Sequence, residues 1–207
     1  LKAAVVNLDD PMAQEVLSVL SGQTVEIWTC SRRGAARLRA SDVHYSSSGL
    51  TFTVIEGEVS VVLRTRLVGD FNVANLLGVI GAMRAMGVPL EQSMEACGKL
   101  APVPGRMDCV GGLGQPLVAV DYAHTPDALE QALLALRPLA RDRGGQLWCV
   151  FGCGGDRDVA KRPLMGRLAQ QHADQIVLTS DNPRSEDPMS IIQAIRAGLD
   201  GKERLTV

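Results

Sequence analysis

Short apolar runs separated by polar turns dominate the first hundred residues of the chain. Residues 3–6 and 25–29 are apolar runs of strand length, and the segment between them predicts a helix that ends near Leu20. Residues 43–68 alternate between apolar and polar positions on both sides of Gly57. That alternation predicts a hairpin or small meander.

Two helices are predicted next. Asp70 can cap the first, whose apolar positions recur at helical spacing and form one face: Val73, Leu76, Leu77, Ile80 and Met83. The second starts at Pro89 and ends near Leu100. The stretch 101–106 (APVPGR) is the stiffest of the chain because of its prolines. It is the expected boundary between two domains, 1–105 and 106–207.

Beyond this boundary, strands and helices alternate regularly. The predicted strands are 117–121, 146–151 and 174–179, and the helices that follow them are 126–139, 161–172 and 188–199. Thr125 and Pro126 supply a cap and a first-turn proline for the first of these helices. Strands alternating with helices of this length predict an α/β fold with a parallel sheet and right-handed crossovers.

Composition agrees with a globular protein and excludes few functions. Apolar residues make up 46% and charged residues 21% of the 207 positions. The formal charge of −2 gives no electrostatic reason to expect nucleic acid or an anionic membrane as a partner. No apolar run is long enough to span a bilayer, and no signal-peptide pattern opens the chain. The chain has five cysteines, an odd number that cannot all pair in disulfides, and they are expected to be reduced, as in a cytoplasmic protein.

The unusual chemistry of the second half lies in the loops that follow its strands, 121–125, 152–158 and 181–187. Because crossovers place such loops on one edge of a parallel sheet, we expect all three at the edge where open α/β sheets bind ligands. The last loop offers an amide at Asn182 and, at Arg184, a planar guanidinium suited to a carboxylate. An ordinary surface turn is the alternative, since Asp-Asn-Pro is common turn chemistry.

The second loop combines glycines with nearby cations. Residues 152–155 permit close backbone approach to a ligand, although they satisfy neither the Walker nor the Gly-x-Gly-x-x-Gly pattern. Behind them, Arg157, Lys161 and Arg162 place cations near a helix amino end, where anions are favoured. A solvated basic helix start is the alternative interpretation.

The first loop carries Asp121 and His124, three residues apart. A histidine–carboxylate pair can act as general acid–base machinery or as a nucleotide clamp. The sequence shows no Ser-His-Asp or Cys-His arrangement and no cluster with the spacing of a catalytic metal site.

Six motifs, in order and in register along the whole chain, resemble those of the Mur ligases. They are 71–75 (FNVAN), 104–106 (PGR), 121–126 (DYAHTP), 151–158 (FGCGGDRD), 161–163 (KRP) and 181–184 (DNPR). One such motif is weak, but six in register are specific. Within the family, the chain is most similar to the member that adds the third residue of the peptidoglycan stem peptide.

The resemblance implies an enzyme of three domains: one for the UDP-sugar, a central P-loop ATPase domain, and a Rossmann-like third domain that brings the amino acid. This chain resembles the end of the central domain, with its small β meander, followed by most of the third. The family's P-loop, magnesium-binding residues and carbamylated lysine are expected upstream of Leu1, and the Gly-Lys-Gly-His-Glu segment is missing. The chain is therefore expected to be a fragment without turnover of its own.

The resemblance also implies the reaction of a cytoplasmic, ATP-dependent, amide-forming ligase. ATP, with Mg²⁺, phosphorylates the terminal carboxylate of UDP-MurNAc-L-Ala-D-Glu, and the amine of meso-diaminopimelate attacks the acyl phosphate. The enzyme contributes positioning and charge neutralisation. No catalytic side chain and no metal ligand is expected within this chain.

Site residues are carried over by motif. Those similar to the family's ATP contacts are Asn75, Arg106, Asp121 (a ribose-binding acid) and His124. Those that resemble the site for the far end of meso-diaminopimelate are Arg157, Asp181, Asn182, Pro183 and Arg184, with Lys161 as a further anion contact. Lysine-adding relatives lack the arginine at position 184, and lysine has no second carboxylate to pair with it.

Two alternatives stay open. One is a folylpolyglutamate-synthase-like or other Mur-type ligase with a different amino acid, which shares the ATP-side motifs but is not expected to carry Asp-Asn-Pro-Arg. The other is a non-catalytic Rossmann-like binding module, which predicts ligand binding without any need for an upstream P-loop.

Overall fold

The computed structural model describes residues 1–46, 49–111, 114–200 and 205–206. The chain divides into two compact units, Leu1–Val103 and Pro104–Val207. Each has its own sheet and its own hydrophobic core, and the predicted α/β class is confirmed. Within the described part, no helix is long and apolar enough to cross a membrane.

The first unit is built on a five-stranded sheet whose strands lie in chain order. They are β1 (Ala3–Asn7), β2 (Glu26–Ser31), β3 (Leu38–Ser46), β4 (Gly49–Glu56) and β5 (Val59–Thr65). The first three run parallel, and β3, β4 and β5 form an antiparallel meander. Gly57, with a φ of 61°, opens the two-residue turn between β4 and β5, a conformation that glycine adopts without strain. The predicted meander is therefore confirmed, although its first strand starts at Leu38.

Three helices accompany this sheet: α1 (Ala13–Leu20), α2 (Phe71–Ala85) and α3 (Leu90–Gly98). Alternate residues of β4 point into the core, and Leu50, Phe52 and Val54 are each at most 1% exposed. The same core contains Val73, Leu76, Leu77 and Ile80 of α2, which confirms the predicted helix face. Met83 is only partly buried.

Asp70 lies at the amino end of α2 but makes no capping hydrogen bond with its side chain, so that prediction is wrong. Its carboxylate instead accepts hydrogen bonds from the Arg32 guanidinium and the Tyr45 phenol. The pair with Arg32 joins two ionised groups, whereas a cap would pair the carboxylate with an uncharged backbone N–H, and it connects the start of α2 to the segment after β2. Burial, together with the hydrogen bond to Asp70, raises the pKa of Tyr45 to about 12, which keeps the phenol a donor.

The second unit contains a three-stranded parallel sheet in the order β10-β9-β8 and a separate two-stranded antiparallel ribbon. Its elements are β6 (Asp108–Val110), β7 (Val118–Val120), α4 (Pro126–Asp142), β8 (Trp148–Phe151), α5 (Lys161–His172), β9 (Gln175–Leu178), α6 (Pro188–Arg196) and β10 (Leu205–Thr206). The predicted parallel sheet is confirmed for β8 and β9. The pattern did not reveal β10.

The strand predicted at 117–121 has a different partner from the one expected. Val118–Val120 pairs with Asp108–Val110 in the ribbon and lies outside the three-stranded sheet. Gly111, with a φ of 120°, lets the chain come so close to Pro116 that a Cβ there would overlap its carbonyl oxygen. A partner only a few residues away costs little loop-closure entropy, which favours the local pairing.

The core of the second unit lies between the parallel sheet and its helices. Leu129 and Leu133 of α4, Met165 of α5, Leu178 of β9 and Ile195 of α6 are buried in it. The Thr125 hydroxyl accepts a hydrogen bond from Ala128 N at 3.3 Å, which confirms the predicted cap. α4 continues three residues beyond the predicted end at 139, and α6 ends at Arg196 rather than 199.

All five cysteines are free thiols, and their burial predicts an order of reactivity. Cys149 is 5% exposed, and burial raises its pKa to about 12, whereas Cys109 is only partly buried. Because the thiolate is the reactive form, we expect iodoacetamide at pH ~8 to modify Cys109 first and Cys149 last. Timed labelling followed by peptide mass spectrometry measures the order, with protein unfolded in urea as the control. Equal native rates at the two thiols would contradict the burial of β8.

Candidate functional site

The loops that follow β8 and β9 lie against each other at the carboxyl edge of the parallel sheet. Gly155 N donates to Asn182 O at 2.9 Å, and the Arg184 guanidinium donates to Gly155 O. A Cβ on Gly155 would overlap the carbonyl of Pro183, so this approach requires glycine. The expected meeting of these two loops at one sheet edge is therefore observed.

Arg184 occupies the left-handed region of backbone conformation with a φ of 50°, and the residue is exposed to solvent. The bond from Nη1 to Gly155 O fixes the guanidinium over the glycine loop. Its remaining N–H donors have no hydrogen-bond partner among the described residues. A guanidinium held in this way can present a two-pronged donor to a carboxylate in solution.

The other residues expected at the amino-acid site lie in the same two loops and differ in exposure. Asp181, Asn182 and Arg157 are exposed, and Pro183 is partly buried. The Asn182 carbonyl is used by Gly155 N, which leaves the side-chain amide for a ligand. Together they offer both hydrogen-bond donors and acceptors to a zwitterionic group.

Lys161 and Arg162, expected as neighbouring cations for an anion, have separate roles. Lys161 Nζ donates to the His124 carbonyl at 2.7 Å, which connects α5 to the loop after β7. Arg162 is buried and binds the Glu186 carboxylate through both Nη atoms at 2.8 Å. Its assignment as a ligand-facing cation is therefore wrong.

The burial of Arg162 has a signal in the sequence. It shares helical spacing with Met165, Gly166 and Ala169, all of which are buried on the same face of α5. An arginine at such a position needs an internal acid, and Glu186 supplies it.

The hydrogen bond from Arg162 lowers the pKa of Glu186 to about 2. Because the pKa is lower in the folded chain than the ordinary 4.5, the ion pair stabilises the fold above that value. Its contribution is lost as the pH falls towards 2.

The loop after β7 gathers aromatic and charged groups. The Arg106 guanidinium carbon lies 5.2 Å from the centre of the Tyr122 ring, and the Tyr122 and His124 rings are 5.3 Å apart and tilted by 58°. Asp121 Oδ2 accepts a hydrogen bond from Met107 N at 2.9 Å. Tyr122 was not among the expected site residues, although an aromatic residue in a ligand-facing loop is itself a signal.

Asp121 and His124 are not arranged as an acid–base pair. His124 Nδ1 lies 3.1 Å from Tyr122 O, to which it can donate, while Asp121 is occupied by the backbone at Met107. The histidine is thus held by its own loop. Of the two alternatives for this pair, a clamp for a nucleotide agrees better with the geometry than proton transfer does.

These groups suit a nucleoside better than a metal. Exposed rings at Tyr122 and His124 beside the Arg106 guanidinium can stack on a purine, and Asp121 Oδ1 can accept from a ribose hydroxyl. Among the described residues, no group of three or more His, Cys, Asp or Glu side chains could hold a metal ion.

Asn75 belongs to the first unit, where it is exposed on the first turns of α2. Its amide nitrogen donates to Asn72 Oδ1 at 3.2 Å, and the Asn72 amide donates to Val68 O at 2.7 Å. This chain of bonds orients the Asn75 amide and leaves its oxygen for a ligand. The contribution of Asn72 was not expected from the sequence.

Comparison with known proteins assigns both units. The family model described as "Mur ligase middle domain" matches residues 1–83, and "Mur ligase, glutamate ligase domain" matches 105–207. The UDP-N-acetylmuramoyl-L-alanyl-D-glutamate–2,6-diaminopimelate ligase of Acidovorax sp. (strain JS42) is 57% identical over 198 residues, which cover 96% of this chain and 40% of the relative.

Solved structures agree with this assignment. A structure of a UDP-N-acetylmuramoyl-L-alanyl-D-glutamate–2,6-diaminopimelate ligase is 40% identical with a TM-score of 0.67, covering 99% of this chain and 42% of that one. Folylpolyglutamate synthase from Thermotoga maritima has a TM-score of 0.76 at 18% identity, covering 98% and 46%, and shares the fold alone. The chain spans about two fifths of the length of the curated relatives that it matches. It is a member of the Mur ligase family.

Proposed function

We propose that this chain is part of an ATP-dependent ligase that adds meso-diaminopimelate to UDP-MurNAc-L-Ala-D-Glu during peptidoglycan precursor synthesis. The observation that carries the proposal is the 57% identity to a diaminopimelate ligase across 96% of the chain. In this assignment, residues 1–105 are the end of the central ATP-binding domain and 106–207 are most of the third domain. The five free thiols favour a cytoplasmic enzyme.

The Asp181–Arg184 loop provides the contacts to the amino acid in this proposal. Arg184, fixed by Gly155 O, pairs with the second carboxylate of meso-diaminopimelate, and the exposed Arg157 adds positive charge. The Asn182 amide is suited to the neighbouring ammonium and carboxylate. Lysine lacks that carboxylate and would leave the guanidinium unpaired, which disfavours it as a substrate.

The nucleotide is bound in this proposal by residues that precede the glycine loop in the chain. Asp121 accepts from the ribose hydroxyls, and Tyr122 and His124 pack against the base with Arg106. Asn75 is proposed as an ATP contact on the strength of its motif alone. ATP converts the substrate carboxylate into an acyl phosphate, which the amine attacks. The residues of this chain bind and orient the reactants, since this reaction needs no side-chain nucleophile.

An amino-acid panel tests the proposal on the complete enzyme that contains this chain. We expect ADP release that depends on UDP-MurNAc-L-Ala-D-Glu and on meso-diaminopimelate, with little release for lysine or glutamate. The chain of 207 residues by itself is the matched control and is expected to show no turnover. Preference for glutamate or lysine would identify another ligase of this fold, and binding without turnover in the complete protein would identify a non-catalytic module.

A further inference from the structure

A buried arginine lies behind the Arg184 loop. The Arg162 side chain is 3% exposed, and its two Nη atoms donate to Glu186 Oε1 and Oε2 at 2.8 Å. One of them also lies 3.4 Å from Gly154 O. Its charge is therefore neutralised by Glu186 inside the protein, between the first turn of α5 and the two loops.

Glu186 and the preceding Ser185 also form hydrogen bonds with Asp156 in the loop after β8. Glu186 Oε1 accepts a hydrogen bond from Asp156 N at 2.6 Å. Asp156 in turn accepts from Ser185 Oγ at 2.6 Å and from Ser185 N at 3.3 Å. The two residues that follow Arg184 are thus bonded to the loop after β8 by side chains and backbone together.

Two backbone conformations show why such bonds are needed. Asp156 has a φ of 51° and Arg184 a φ of 50°, both in the left-handed region that residues with a Cβ adopt only at a cost. Surrounding bonds must compensate that cost for the conformation to persist. The contacts of Asp156, Arg162, Ser185 and Glu186 lie directly beside both strained residues, and we call these four residues the loop clasp.

We propose that the loop clasp positions Arg184 for its carboxylate and so determines the affinity for the amino acid without touching it. This inference rests on the proposed function, since it concerns how the same site is held. Arg184 has a single hydrogen bond of its own, to Gly155 O, among the described residues. That bond restrains the guanidinium but not the backbone at position 184. The contacts of the loop clasp restrain the two residues that directly follow it. A displacement of about 1 Å in a binding group is enough to reduce catalysis strongly.

A second ion pair of the same unit serves as a control, because it lies away from the two loops and its loss tests stability without affecting the position of Arg184. Arg137 Nη1 lies 2.6 Å from Asp174 Oδ2, with side chains 22% and 31% exposed. Asp174 also accepts a hydrogen bond from Leu147 N at 2.7 Å, where β8 and β9 begin. This pair lies at the edge of the sheet opposite the loops, so we expect its loss to lower stability without changing the binding of the amino acid.

The experiment compares three variants of the complete enzyme by steady-state kinetics and thermal unfolding. Glu186→Gln is expected to raise KM for meso-diaminopimelate by about tenfold, with KM for ATP unchanged, because the loop shifts while the nucleotide site stays intact. Ser185→Ala, at an exposed position that does not threaten folding, should raise the same KM less. Arg137→Met should lower Tm and leave both KM values unchanged.

Selectivity is the second measurement. The ratio of kcat/KM for meso-diaminopimelate over lysine should fall in Glu186→Gln and remain constant in Arg137→Met. If Glu186→Gln and Ser185→Ala lower Tm but keep KM and this ratio, the clasp is merely structural and the proposal is overturned. If the unmodified enzyme shows no turnover with meso-diaminopimelate, the proposed function fails instead, before any variant is compared.

Discussion

Arg184→Ala in the complete enzyme is expected to lower kcat/KM for meso-diaminopimelate about 100-fold or more. The variant removes a charge-assisted, two-pronged partner and leaves the substrate carboxylate unpaired in the site. Most of the loss should appear in the kinetics of the amino acid, because the guanidinium is bonded to Gly155 O in the pair of loops assigned to that substrate. Initial rates at varied amino acid and saturating ATP measure the effect.

Arg167→Ala is the matched control, since Arg167 is an exposed arginine on α5 outside the two loops. It should retain the kinetics of the unmodified enzyme. Activity with lysine should fall much less in Arg184→Ala, since lysine has no second carboxylate to lose its partner. Unchanged kinetics with meso-diaminopimelate in Arg184→Ala would remove the basis for assigning this residue.

Gly155→Ala is expected to be nearly as damaging. The added Cβ would overlap the Pro183 carbonyl, and neither partner of that contact is a flexible side chain. The two loops must separate, which breaks the bonds from Gly155 to Asn182 O and from Arg184 to Gly155 O. We expect a loss of about 1–3 kcal/mol in the free energy of unfolding and a rise in KM for the amino acid.

Gly145→Ala provides the comparison for this variant. A Cβ there would meet only Ala140 O, at an ordinary 3.8 Å, and the residue lies at the other edge of the sheet, before β8. Urea unfolding and amino-acid kinetics should both stay close to those of the unmodified enzyme. If Gly155→Ala behaves in the same way, the close approach of the two loops is not required.

The parts of the site that were predictable are those fixed by local pattern. The alternation of strands and helices placed the loops after β8 and β9 at one edge, and the observed loops meet there through Gly155 and Asn182. Thr125 caps its helix as expected, because capping depends on residues only three positions apart. Motif register then identified the family without any structure.

Contacts between residues distant in sequence explain the side-chain roles that the sequence pattern did not predict. Asp70 is a good capping residue by type, but Arg32, 38 residues earlier, takes its carboxylate. Lys161 and Arg162 are adjacent cations in sequence, yet one is directed to His124 O and the other is buried against Glu186. Such outcomes depend on which distant partner the fold brings near, and single-sequence periodicity does not contain that information.

The two edges of the parallel sheet are held by bonds that share no residue. Asp174 fixes the strand starts through Arg137 and Leu147 N, whereas Glu186 holds the opposite loop through Arg162. We therefore expect that residues 181–184 can be exchanged for those of a ligase with another amino acid without disturbing the starts of β8 and β9, provided that Ser185 and the backbone bond from Gly155 N to residue 182 are kept. The acid at 186 must remain in any such graft, because Arg162 would otherwise be a buried cation without a partner, at a cost of about 3–5 kcal/mol. The residues that face the ligand can thus change while the bonds that hold the loop in place stay the same.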